Sequence, residues 1–351
     1  MPVTNRVKAK FIIVGLGSIG KVHLSKVVSR SEKVIVIDRN LEILNFLKSN
    51  PLYKKVVFHA QLESVQEPLE NYIGIIANWG PDHFSILEEL YRRGVRHFVV
   101  EKPLVSKLSD LYSLNQLVKN RALKVITNLP TSFGPLPSLV SSYEANEKIG
   151  NVKSIVVSGG AKCLVTNGIH YVSLASKIFN SNPESVVSLL DNQPYNPRSQ
   201  QFLFMGGVSI WEFSEHRHLT VSFSNDSHVQ LVITVIHEFG KIVIEGDIGT
   251  VYYITENERA KIDKPSRTFY ARQVLETFTP YHFESGSDGM DEIYKALEMS
   301  NGPTEEDFED GFNATEAVIG MLISSEMKAL VELPLQSEVK DKYNSREWNI
   351  S

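Results

Sequence analysis

Short apolar runs alternate with longer amphipathic stretches between Lys10 and Thr127. The runs predict buried strands, and the stretches between them predict helices. The predicted strands are Lys10–Val14, Lys33–Ile37, Val56–Phe58, Tyr72–Ala77, His97–Val100 and Lys124–Thr127. The predicted helices are Ile19–Ser29, Leu41–Lys48, Pro81–Arg93 and Ser109–Asn120. Strands and helices that alternate at this spacing are typical of a doubly wound parallel sheet with right-handed crossovers.

The pattern changes after Asn128, where the proline-rich residues 129–138 predict turns. Beyond them, apolar and polar residues alternate with a period of two, which indicates an antiparallel sheet with one solvated or partner-covered face. The predicted strands are Ser154–Ser158, Gly207–Phe213, Leu219–Ser224, Val229–His237, Lys241–Glu245 and Thr250–Ile254. The predicted helices are Ser138–Lys148 and Asp310–Leu330. The polar tail from Gln336 onward is predicted to be loosely held.

The two patterns divide the chain into two predicted domains of an α/β protein. Residues 1–129 are predicted to form a Rossmann domain built on the doubly wound parallel sheet. Residues 130–351 are predicted to form an α+β domain with a large, mostly antiparallel sheet. The total of 351 residues is enough for two hydrophobic cores.

Composition excludes several classes of partner. The formal net charge is −5 and no cluster of Lys and Arg is present, which argues against nucleic acid as the main partner. No apolar stretch reaches the length of a membrane span, and the first ten residues lack the apolar core of a secretory signal. Cys163 is the single cysteine, so no internal disulfide is possible; we expect it to be a core residue of a cytoplasmic protein.

Three glycines follow the first predicted strand at the spacing of a dinucleotide-binding turn. They are Gly15, Gly17 and Gly20, and the helix that they open begins with Ser18 and Ile19. In this fingerprint the first glycine makes the tight turn, the second leaves room for a pyrophosphate, and the third allows close packing of helix and strand. The pyrophosphate is then expected at the helix N-terminus, where free N–H groups attract an anion.

An acidic residue, Asp38, ends the second predicted strand about twenty residues after the glycine turn. A carboxylate at this place accepts hydrogen bonds from the adenosine ribose and repels a 2′-phosphate, which favours NAD. Arg39 follows directly, and an arginine could pair with that phosphate, so NADP is the alternative.

Polar residues also follow the fourth predicted strand, at the sheet edge where ligands bind in open α/β folds. Asn78 and Trp79 end the strand, and His83 lies in the first turn of the next helix. We expect all three near the cofactor. For His83, a hydrogen-bonded structural role is an equal alternative.

The fifth strand ends at the same edge with Glu101, Lys102 and Pro103, and Asn128 ends the sixth. Proline disfavours the helical region for the residue before it, so Lys102 is expected to be extended; the spacing leaves a cis bond open. A lysine aimed at the nicotinamide could bind a substrate hydroxyl or take its proton as hydride leaves. The alternative is a lysine paired with Glu101 at a loop. We expect Glu101 and Asn128 to contact the cofactor as well.

These motifs together resemble the Gfo/Idh/MocA oxidoreductase family, named for glucose-fructose oxidoreductase and inositol dehydrogenase. The later parts of the chain are similar too: residues 149–160 resemble the entry into the family's C-terminal sheet, residues 232–253 its sheet-closing segment, and residues 324–335 its terminal helix and Leu-Pro-Leu. The resemblance covers nearly the whole chain. It implies a cytoplasmic NAD(P)-dependent enzyme, a homodimer or homotetramer through the C-terminal sheet.

The family's remaining motif, Asp-x-Gly-x-His, corresponds here to Thr166, Gly168 and His170, with Ser173 at a later acidic position. By resemblance, His170 is a catalytic or substrate-binding group opposite Lys102. We expect it to open a helix that runs to Phe179. Neutral Thr166 and Ser173 stand where the family has carboxylates, so His170 lacks an orienting anion. Asn167 and Tyr171 are expected to line the substrate pocket. A further departure from the family follows Asn128, where a basic residue is common and this chain has the neutral residues Pro130, Thr131 and Ser132.

The resemblance implies hydride transfer between nicotinamide and a secondary hydroxyl of a sugar, polyol or nucleotide-activated sugar. The Asn-Gly-Ile-His form resembles members from bacterial surface-saccharide pathways. One alternative is an epimerase, lyase or glycosidase that oxidises its substrate transiently; another is a non-catalytic dinucleotide-binding regulator. No metal is expected, and His216, His218 and Glu212 are interpreted as a polar strand end rather than a metal site.

Overall fold

The computed structural model describes residues 9–121, 123–145, 148–191, 203–246, 248–259, 273–278, 287–298 and 302–350. The described residues form two compact units. The first lies within Met1–Asn128, Ile293–Phe312 and Tyr343–Ser351, and the second within Leu129–Glu292 and Asn313–Lys342. Two late segments thus belong to the first unit, which the sequence pattern did not indicate. Residues 1–8, on which the expectation about a leader partly rests, lie outside the described residues.

Six parallel strands form the sheet of the first unit. They are β1 (Lys10–Val14), β2 (Lys33–Ile37), β3 (Val56–His59), β4 (Tyr72–Ile76), β5 (His97–Val100) and β6 (Lys124–Thr127). The spatial order is β3-β2-β1-β4-β5-β6, and every pairing is parallel. Strands β2 and β3 are added on one side of β1, and strands β4, β5 and β6 on the other. The place between β1 and β4 is therefore the switch point at which open α/β sheets bind ligands. The predicted Rossmann sheet is confirmed.

Four helices connect these strands. They are α1 (Ser18–Val28), α2 (Leu41–Lys48), α3 (His83–Arg92) and α4 (Leu108–Arg121). The start of α2 is fixed by Asn40, whose side chain accepts hydrogen bonds from the backbone N–H groups of Glu42 and Ile43. By contrast, α1 starts at Gly17 with no side-chain cap. Its first N–H groups therefore have no intrahelical or capping acceptor and can bind an anion.

Nine strands form the sheet of the second unit within the described residues. They are β7 (Val152–Gly159), β8 (Pro183–Leu190), β9 (Gly207–Phe213), β10 (Arg217–Phe223), β11 (Val232–His237), β12 (Gly240–Glu245), β13 (Ile248–Ile254), β14 (Gln273–Phe278) and β15 (Val331–Glu332). Their order is β14-β13-β12-β11-β7-β10-β9-β8-β15. All pairs are antiparallel except β10 with β7. The predicted second sheet, large and mostly antiparallel, is confirmed.

The later helices are α5 (Pro130–Phe133), α6 (Leu136–Ala145), α7 (Leu164–Phe179), α8 (Glu256–Arg259), α9 (Ser287–Glu298), α10 (Glu305–Met327) and α11 (Ser337–Tyr343). The core of the second unit lies between the sheet and its helices. Trp211 of β9 is fully buried there, and its indole N–H donates to the carbonyl of Ala317 on α10. Phe213 packs edge-on against Phe179 of α7, with ring centroids 4.9 Å apart.

Three sequence-based expectations are corrected by this structure. Pro130 does not prevent a helix but starts α5, because the first helical position needs no N–H. His170 does not open its helix: α7 begins at Leu164, since Leu164 and Val165 are apolar and buried and extend the packed face toward the N-terminus. The strand Pro183–Leu190 was not predicted at all.

The tail beyond Gln336 is also more ordered than expected. Its first part is α11, whose last residue, Tyr343, is buried, and two later side chains, Trp348 and Ile350, are buried as well. The backbone N–H of Trp348 donates to the backbone carbonyl of Ser106 at 2.9 Å. The expectation of a loosely held tail is therefore wrong, because its few apolar residues are spaced irregularly and each still finds the core of the first unit.

Candidate active site

The glycine turn of the first unit can be built only from glycine at two of its positions. Gly15 has φ +98°, and a Cβ there would lie 2.5 Å from the carbonyl oxygen of Ala77. A Cβ on Gly20 would overlap the carbonyl of Gly15, so strand and helix pack at backbone distance. Gly17 differs, because nothing lies within 4 Å of its Cβ position. The space in front of the α1 N-terminus, where Ser18 and Ile19 begin the helix, is therefore open.

Asp38 is held in one orientation by two backbone N–H groups. Leu16 donates to Oδ2 at 2.5 Å, and Asn40 donates to Oδ1 at 2.7 Å. Asp38 is half-buried and Arg39 is exposed. A carboxylate has about four acceptor positions, so two remain for the hydroxyls of a ribose. This arrangement fits the NAD-favouring geometry that the sequence predicts.

Two amide side chains at the carboxyl edge of the sheet have an acceptor left over. The Oδ1 atoms of Asn78 and Asn128 are buried and accept no hydrogen bond within the described part of the chain. A buried acceptor without a donor is costly, so such atoms indicate a place for a ligand that donates. The amide and hydroxyl groups of a nicotinamide riboside are donors of this kind. Trp79, which follows Asn78 in the chain, is 39% exposed. The residues present thus fit a bound NAD.

Glu101, the residue before Lys102, is a buried carboxylate with three hydrogen-bond donors. Its Oε1 accepts from His23 Nε2 at 2.8 Å and from Asn128 Nδ2 at 2.5 Å, and its Oε2 accepts from the Lys102 backbone N–H at 3.3 Å. Burial raises the pKa of Glu101, while the hydrogen bond and charge of His23 lower it. The Asn128 amide and the Lys102 ammonium lower it further, and the net pKa lies below its ordinary value. Glu101 is therefore ionised at neutral pH.

Lys102 itself is half-buried, and the bond to Pro103 is cis, which the sequence had left open. Pro103, Leu104 and Val105 beyond it are buried, so the loop that carries Lys102 is anchored on both sides. The charge of Lys102 lowers the pKa of Glu101, so the two residues interact electrostatically. This interaction does not conflict with the prediction that the Lys102 side chain lies near the cofactor.

His83 braces two loops of this edge. Its Nδ1 lies 3.0 Å from the carbonyl oxygen of Pro103, and its Nε2 lies 3.2 Å from that of Asn78. The side chain is fully buried, and burial lowers the pKa of the imidazole. These contacts correspond to the structural role that was the alternative for His83; a direct cofactor contact stays a prediction.

Sequence reasoning did not select two residues of this cluster, His23 and Tyr294. His23 Nδ1 lies 2.5 Å from the Tyr294 hydroxyl oxygen, across 271 positions in the chain. His23 could have been noticed, because it follows the glycine turn by one helical turn and must face the sheet. No local signal indicates Tyr294, since only the fold brings the C-terminal part of α9 to α1.

In the second unit, one face of α7 carries the predicted substrate residues. Thr166, Asn167 and His170 are half-exposed and lie together because their spacing is that of one helical turn. Asn167 donates from Nδ2 to the carbonyl of Cys163 at 2.9 Å and to Thr166 Oγ1 at 3.3 Å. Tyr171 points inward instead, with its ring 6.0 Å from that of Phe223.

The family departures lie partly inside the second unit. Ser173 and Ser132 are buried, and Ser132 donates to the carbonyl of Leu129 at 2.8 Å. A Cβ at Gly168 would lie 3.7 Å from the Trp211 ring, which is an ordinary van der Waals contact, so this position does not require glycine for packing. Lys102 belongs to the first unit and His170 to the second. Their meeting across one substrate remains a prediction.

The histidine pair considered for metal lies on the surface. His216 is 96% exposed in its side chain, and its Nδ1 lies 3.6 Å from Glu212 Oε1. His218 is directly opposite Glu212 in the pairing of β10 with β9. Among the residues described, no three His, Cys, Asp or Glu side chains group in a way that could hold a metal ion.

The described helices include none with the length and apolar character of a membrane span.

Comparison with known proteins agrees with this geometry. The sequence profile of the Gfo/Idh/MocA "Oxidoreductase family, NAD-binding Rossmann fold" matches residues 9–129. That of the "Oxidoreductase family, C-terminal alpha/beta domain" matches residues 146–333. No curated protein sequence matches the chain.

Solved structures share the fold at low sequence identity. A levoglucosan dehydrogenase in complex with NADH and levoglucosan is 14% identical with a TM-score of 0.71, over 93% of this chain and 99% of that chain. An Agrobacterium radiobacter oxidoreductase in complex with NAD+, L-tartaric acid and magnesium is 13% identical with a TM-score of 0.72, over 93% and 98%. The super-repressor mutant of Gal80p from Saccharomyces cerevisiae is 12% identical with a TM-score of 0.71, over 92% and 97%. The profile matches extend over both units, and the chain belongs to the Gfo/Idh/MocA family of NAD(P)-dependent oxidoreductases.

Proposed function

We propose that this protein transfers hydride between NAD and a carbon that bears a secondary hydroxyl, with Lys102 as the general acid and base. The observation that carries the proposal is the position of Lys102. It follows β5 at the carboxyl edge of the Rossmann sheet and is half-buried, and its backbone N–H donates to the Glu101 carboxylate. Asn78 and Asn128 follow the two neighbouring strands, β4 and β6, and their buried amide oxygens accept no hydrogen bond among the described residues.

The candidate site residues of the first unit have separate tasks in the proposed reaction. When bound, NAD supplies a nicotinamide ring that accepts a hydride in oxidation and returns it in reduction. The open α1 N-terminus at Gly17 binds the pyrophosphate, and Asp38 binds the adenosine ribose. Lys102 Nζ takes the proton of the substrate hydroxyl in oxidation and gives it back in reduction.

The second unit supplies the substrate side of the proposal. His170 binds or orients the reacting hydroxyl, and Thr166 and Asn167 on the same face of α7 contact its neighbours. Tyr171 supports this face from inside rather than touching substrate, because its side chain is buried. Without a carboxylate at position 166 or 173, we assign proton transfer to Lys102 and a smaller, orienting part to His170.

We propose a sugar, polyol or nucleotide-activated sugar as the substrate. The family relationship supports this class, and solved structures with the same fold include a dehydrogenase bound to levoglucosan and an oxidoreductase bound to L-tartaric acid. A hydroxyl-rich ligand also suits the α7 face, where Thr166, Asn167 and His170 offer both donors and acceptors. Synthesis of bacterial surface saccharides, in the cytoplasm, is the setting that we propose.

The test is a screen of sugars, polyols and nucleotide sugars with NAD and NADP, followed by absorbance of the reduced cofactor. With the substrate found, Lys102→Met is expected to lower the hydride-transfer rate by about 10³-fold, since general acid–base catalysis supplies factors of that order. Lys26→Met, on the outer part of α1, is the matched control and should keep the wild-type rate. A normal rate in Lys102→Met would contradict the proposal.

Two other functions are separated by the same screen. An enzyme that oxidises its substrate only transiently keeps the cofactor bound and releases no net NADH during turnover. A regulator that binds the dinucleotide without chemistry forms no product and exchanges no hydrogen isotope with the cofactor; a transcriptional regulator, Gal80p, is among the solved structures that share the fold. Lys102 and His170 favour an enzyme, because a regulator has no need of a half-buried lysine over an internal carboxylate.

We also propose that the open face of the nine-stranded sheet forms a homodimer or homotetramer interface. One cross-strand row on this face is uncharged and mostly β-branched, and none of its members is fully buried. The row runs through Val187, Ile210, Thr220, Val156, Thr234, Val243 and Thr250. An uncharged, partly exposed row in which apolar side chains alternate with threonines suits a subunit contact.

Light scattering of the purified protein tests the interface. Ile210→Lys is expected to produce a smaller species, because it places a charge within the uncharged row, at one of its most exposed positions. Leu41→Lys, which changes an exposed leucine on α2, is the matched control and should leave the mass unchanged. A monomeric wild-type protein, or an Ile210→Lys variant of unchanged mass, would contradict this interface.

A further inference from the structure

A buried chain of hydrogen-bonded side chains runs through the first unit and ends at the loop of Lys102. Tyr294 on α9 contacts His23 on α1, His23 contacts Glu101, and Glu101 contacts the Lys102 backbone. Tyr294, His23 and Glu101 are 0%, 1% and 6% exposed. Such a polar chain is costly to bury unless every member is satisfied, so its presence under a reactive group calls for a function.

The contacts divide the Glu101 carboxylate into two sides. Oε1 receives both His23 Nε2–H and Asn128 Nδ2–H, whereas Oε2 faces the Lys102 N–H. The carboxylate therefore cannot rotate without breaking two hydrogen bonds at once. Its negative charge is fixed in the direction of the loop that carries Lys102.

His23 is fixed in turn by its own partner. Its Nε2 lies against Glu101 and its Nδ1 lies 2.5 Å from the Tyr294 hydroxyl oxygen, so both ring nitrogens have a partner and the ring is held in one orientation. The Tyr294 ring packs edge-on against Phe11 at 6.3 Å between centroids. The guanidinium of Arg30 lies 5.3 Å from the centroid of the same ring. Tyr294 thus has little freedom to move away from His23.

We propose that His23 and Tyr294 are positioning residues for the hydride-transfer reaction: through Glu101, they hold a fixed negative charge under Lys102 and so set the direction and the protonation of its ammonium group. This inference rests on the proposed function of Lys102. It adds to that function two residues that touch neither substrate nor cofactor in the proposed reaction, one of them contributed by a segment far along the chain.

The charged and titratable groups around this chain come from several elements. Glu101 is faced by His23 from α1, by Lys102 from its own loop, and by His83 from α3, on which its charge acts. Beyond Tyr294, Arg30 forms an ion pair with Glu298 at 3.8 Å. Glu101 is an anion whose charge interacts with that of Lys102, so its removal has a predictable sign. Removal of an opposite charge favours the neutral form of a lysine.

The test is an NMR titration of the Lys102 side chain in protein labelled with ¹³C-lysine, with the resonance assigned by its loss in Lys102→Met. Glu101→Gln is expected to lower the titration midpoint of Lys102 by about one pH unit. Tyr294→Phe and His23→Gln keep the carboxylate but loosen it, and they should lower the midpoint by a smaller amount. Tyr72→Phe is the matched control, because it removes a buried hydroxyl that donates to Glu67 at the start of β4. It should leave the midpoint unchanged.

Kinetics with the substrate from the screen give a second readout. The limb of the pH–rate profile that belongs to Lys102 should move to lower pH in the same variants, in either reaction direction. In Tyr294→Phe, kcat is expected to fall about fivefold to tenfold while KM for NAD stays constant, since the hydroxyl acts on the reactive loop alone. A loss that appears in KM for NAD, with an unchanged midpoint, would indicate a merely structural role.

The two proposals fail in different ways. An unchanged Lys102 midpoint in Glu101→Gln and Tyr294→Phe would overturn this inference, even if Lys102→Met is inactive. A fully active Lys102→Met would overturn the proposed function, whatever the titration shows. If Glu101→Gln does not fold, as judged by circular dichroism, His23→Gln carries the same measurement and the same criterion.

Discussion

The two units organise their candidate chemistry in opposite ways. In the first unit, polar groups from separate strands and helices converge on one sheet edge, and Glu101 alone accepts from His23, Asn128 and the Lys102 N–H. In the second unit, Thr166, Asn167 and His170 come from one helical turn, and no carboxylate follows the family pattern there. The first unit thus fixes its charges before a ligand arrives, while the second presents neutral, adjustable groups.

This difference teaches where each kind of specificity resides. A fixed charge in a buried setting suits proton transfer, because its orientation costs nothing at the moment of reaction. A half-exposed face of neutral hydrogen-bonding groups suits recognition of a hydroxyl-rich substrate, since hydroxyls and amides both donate and accept. We therefore expect substitutions of the site residues in the first unit to abolish activity, and those in the second unit to reduce it only partly.

The largest effect is expected at the glycine turn of the first unit. Gly15→Ala should lower the free energy of unfolding by about 3 kcal/mol, because the methyl group meets the Ala77 backbone at a positive φ. Gly17→Ala, with open space at its Cβ, should change stability by less than about 0.5 kcal/mol. It should nevertheless weaken NAD binding by about tenfold or more, because the methyl group takes the space of the pyrophosphate.

Urea unfolding and fluorescence titration with NADH measure these two quantities separately. Equal stability losses in the two glycine variants would show that the turn is not built as described. Normal NADH affinity in Gly17→Ala would place the pyrophosphate elsewhere.

A similarly large loss of stability is expected from a substitution in the tail beyond Gln336, which the sequence predicts to be loosely held. Trp348→Ala should lower the free energy of unfolding by about 3 kcal/mol, because the ring is buried against the first unit. Trp79→Ala is the matched change at a half-exposed position and should cost less than about 1 kcal/mol. Trp79→Ala should instead raise KM for NAD. Thermal unfolding and steady-state kinetics of both variants provide the comparison.

The sequence predicts the elements and residues whose signal is local, and it does not predict contacts that only the fold creates. Strands such as Lys33–Ile37 and His97–Val100 were predicted to the residue, because strands covered on both faces are continuous apolar runs. The glycine turn and Asp38 were found because their chemistry is local. Tyr294 could not be found, since its contact with His23 joins positions 271 residues apart. The start of α7 was missed because a motif, rather than the buried residues before it, was used to place it.

In the second unit, the expected effects are smaller. His170→Asn should lower kcat by about tenfold, since Thr166 and Ser173 stand where the family has carboxylates and the proposed role of His170 is to orient the substrate by hydrogen bonding. Thr166→Asp places a carboxylate one helical turn before His170 on the same face of α7. In that background, the cost of His170→Asn should grow several-fold, because the added carboxylate orients and stabilises the protonated imidazole.

A double-mutant cycle on kcat measures this coupling. Equal costs of His170→Asn with and without Thr166→Asp would mean that the missing carboxylate does not limit His170. The matched change Asn167→Asp tests whether any acidic residue on this face has the same effect.

The smallest effect compares one buried histidine from each unit. Burial lowers the pKa of His83 in the first unit and of His237 in the second, where Nδ1 lies 2.9 Å from the carbonyl oxygen of Gly150. A folded-state pKa below the unfolded value means that the unfolded chain binds the proton first. The stability contributed by each neutral histidine is thus complete above the unfolded pKa of about 6.5 and is lost as pH falls from there through the folded pKa. Hydrogen exchange at pH 7 and pH 5 should show that His83→Gln reduces the acid-induced loss of protection in the first unit alone, and that His237→Gln does so in the second. An effect of either substitution on both units equally would show that the units unfold as one, and the contrast between them would then concern their chemistry but not their stability.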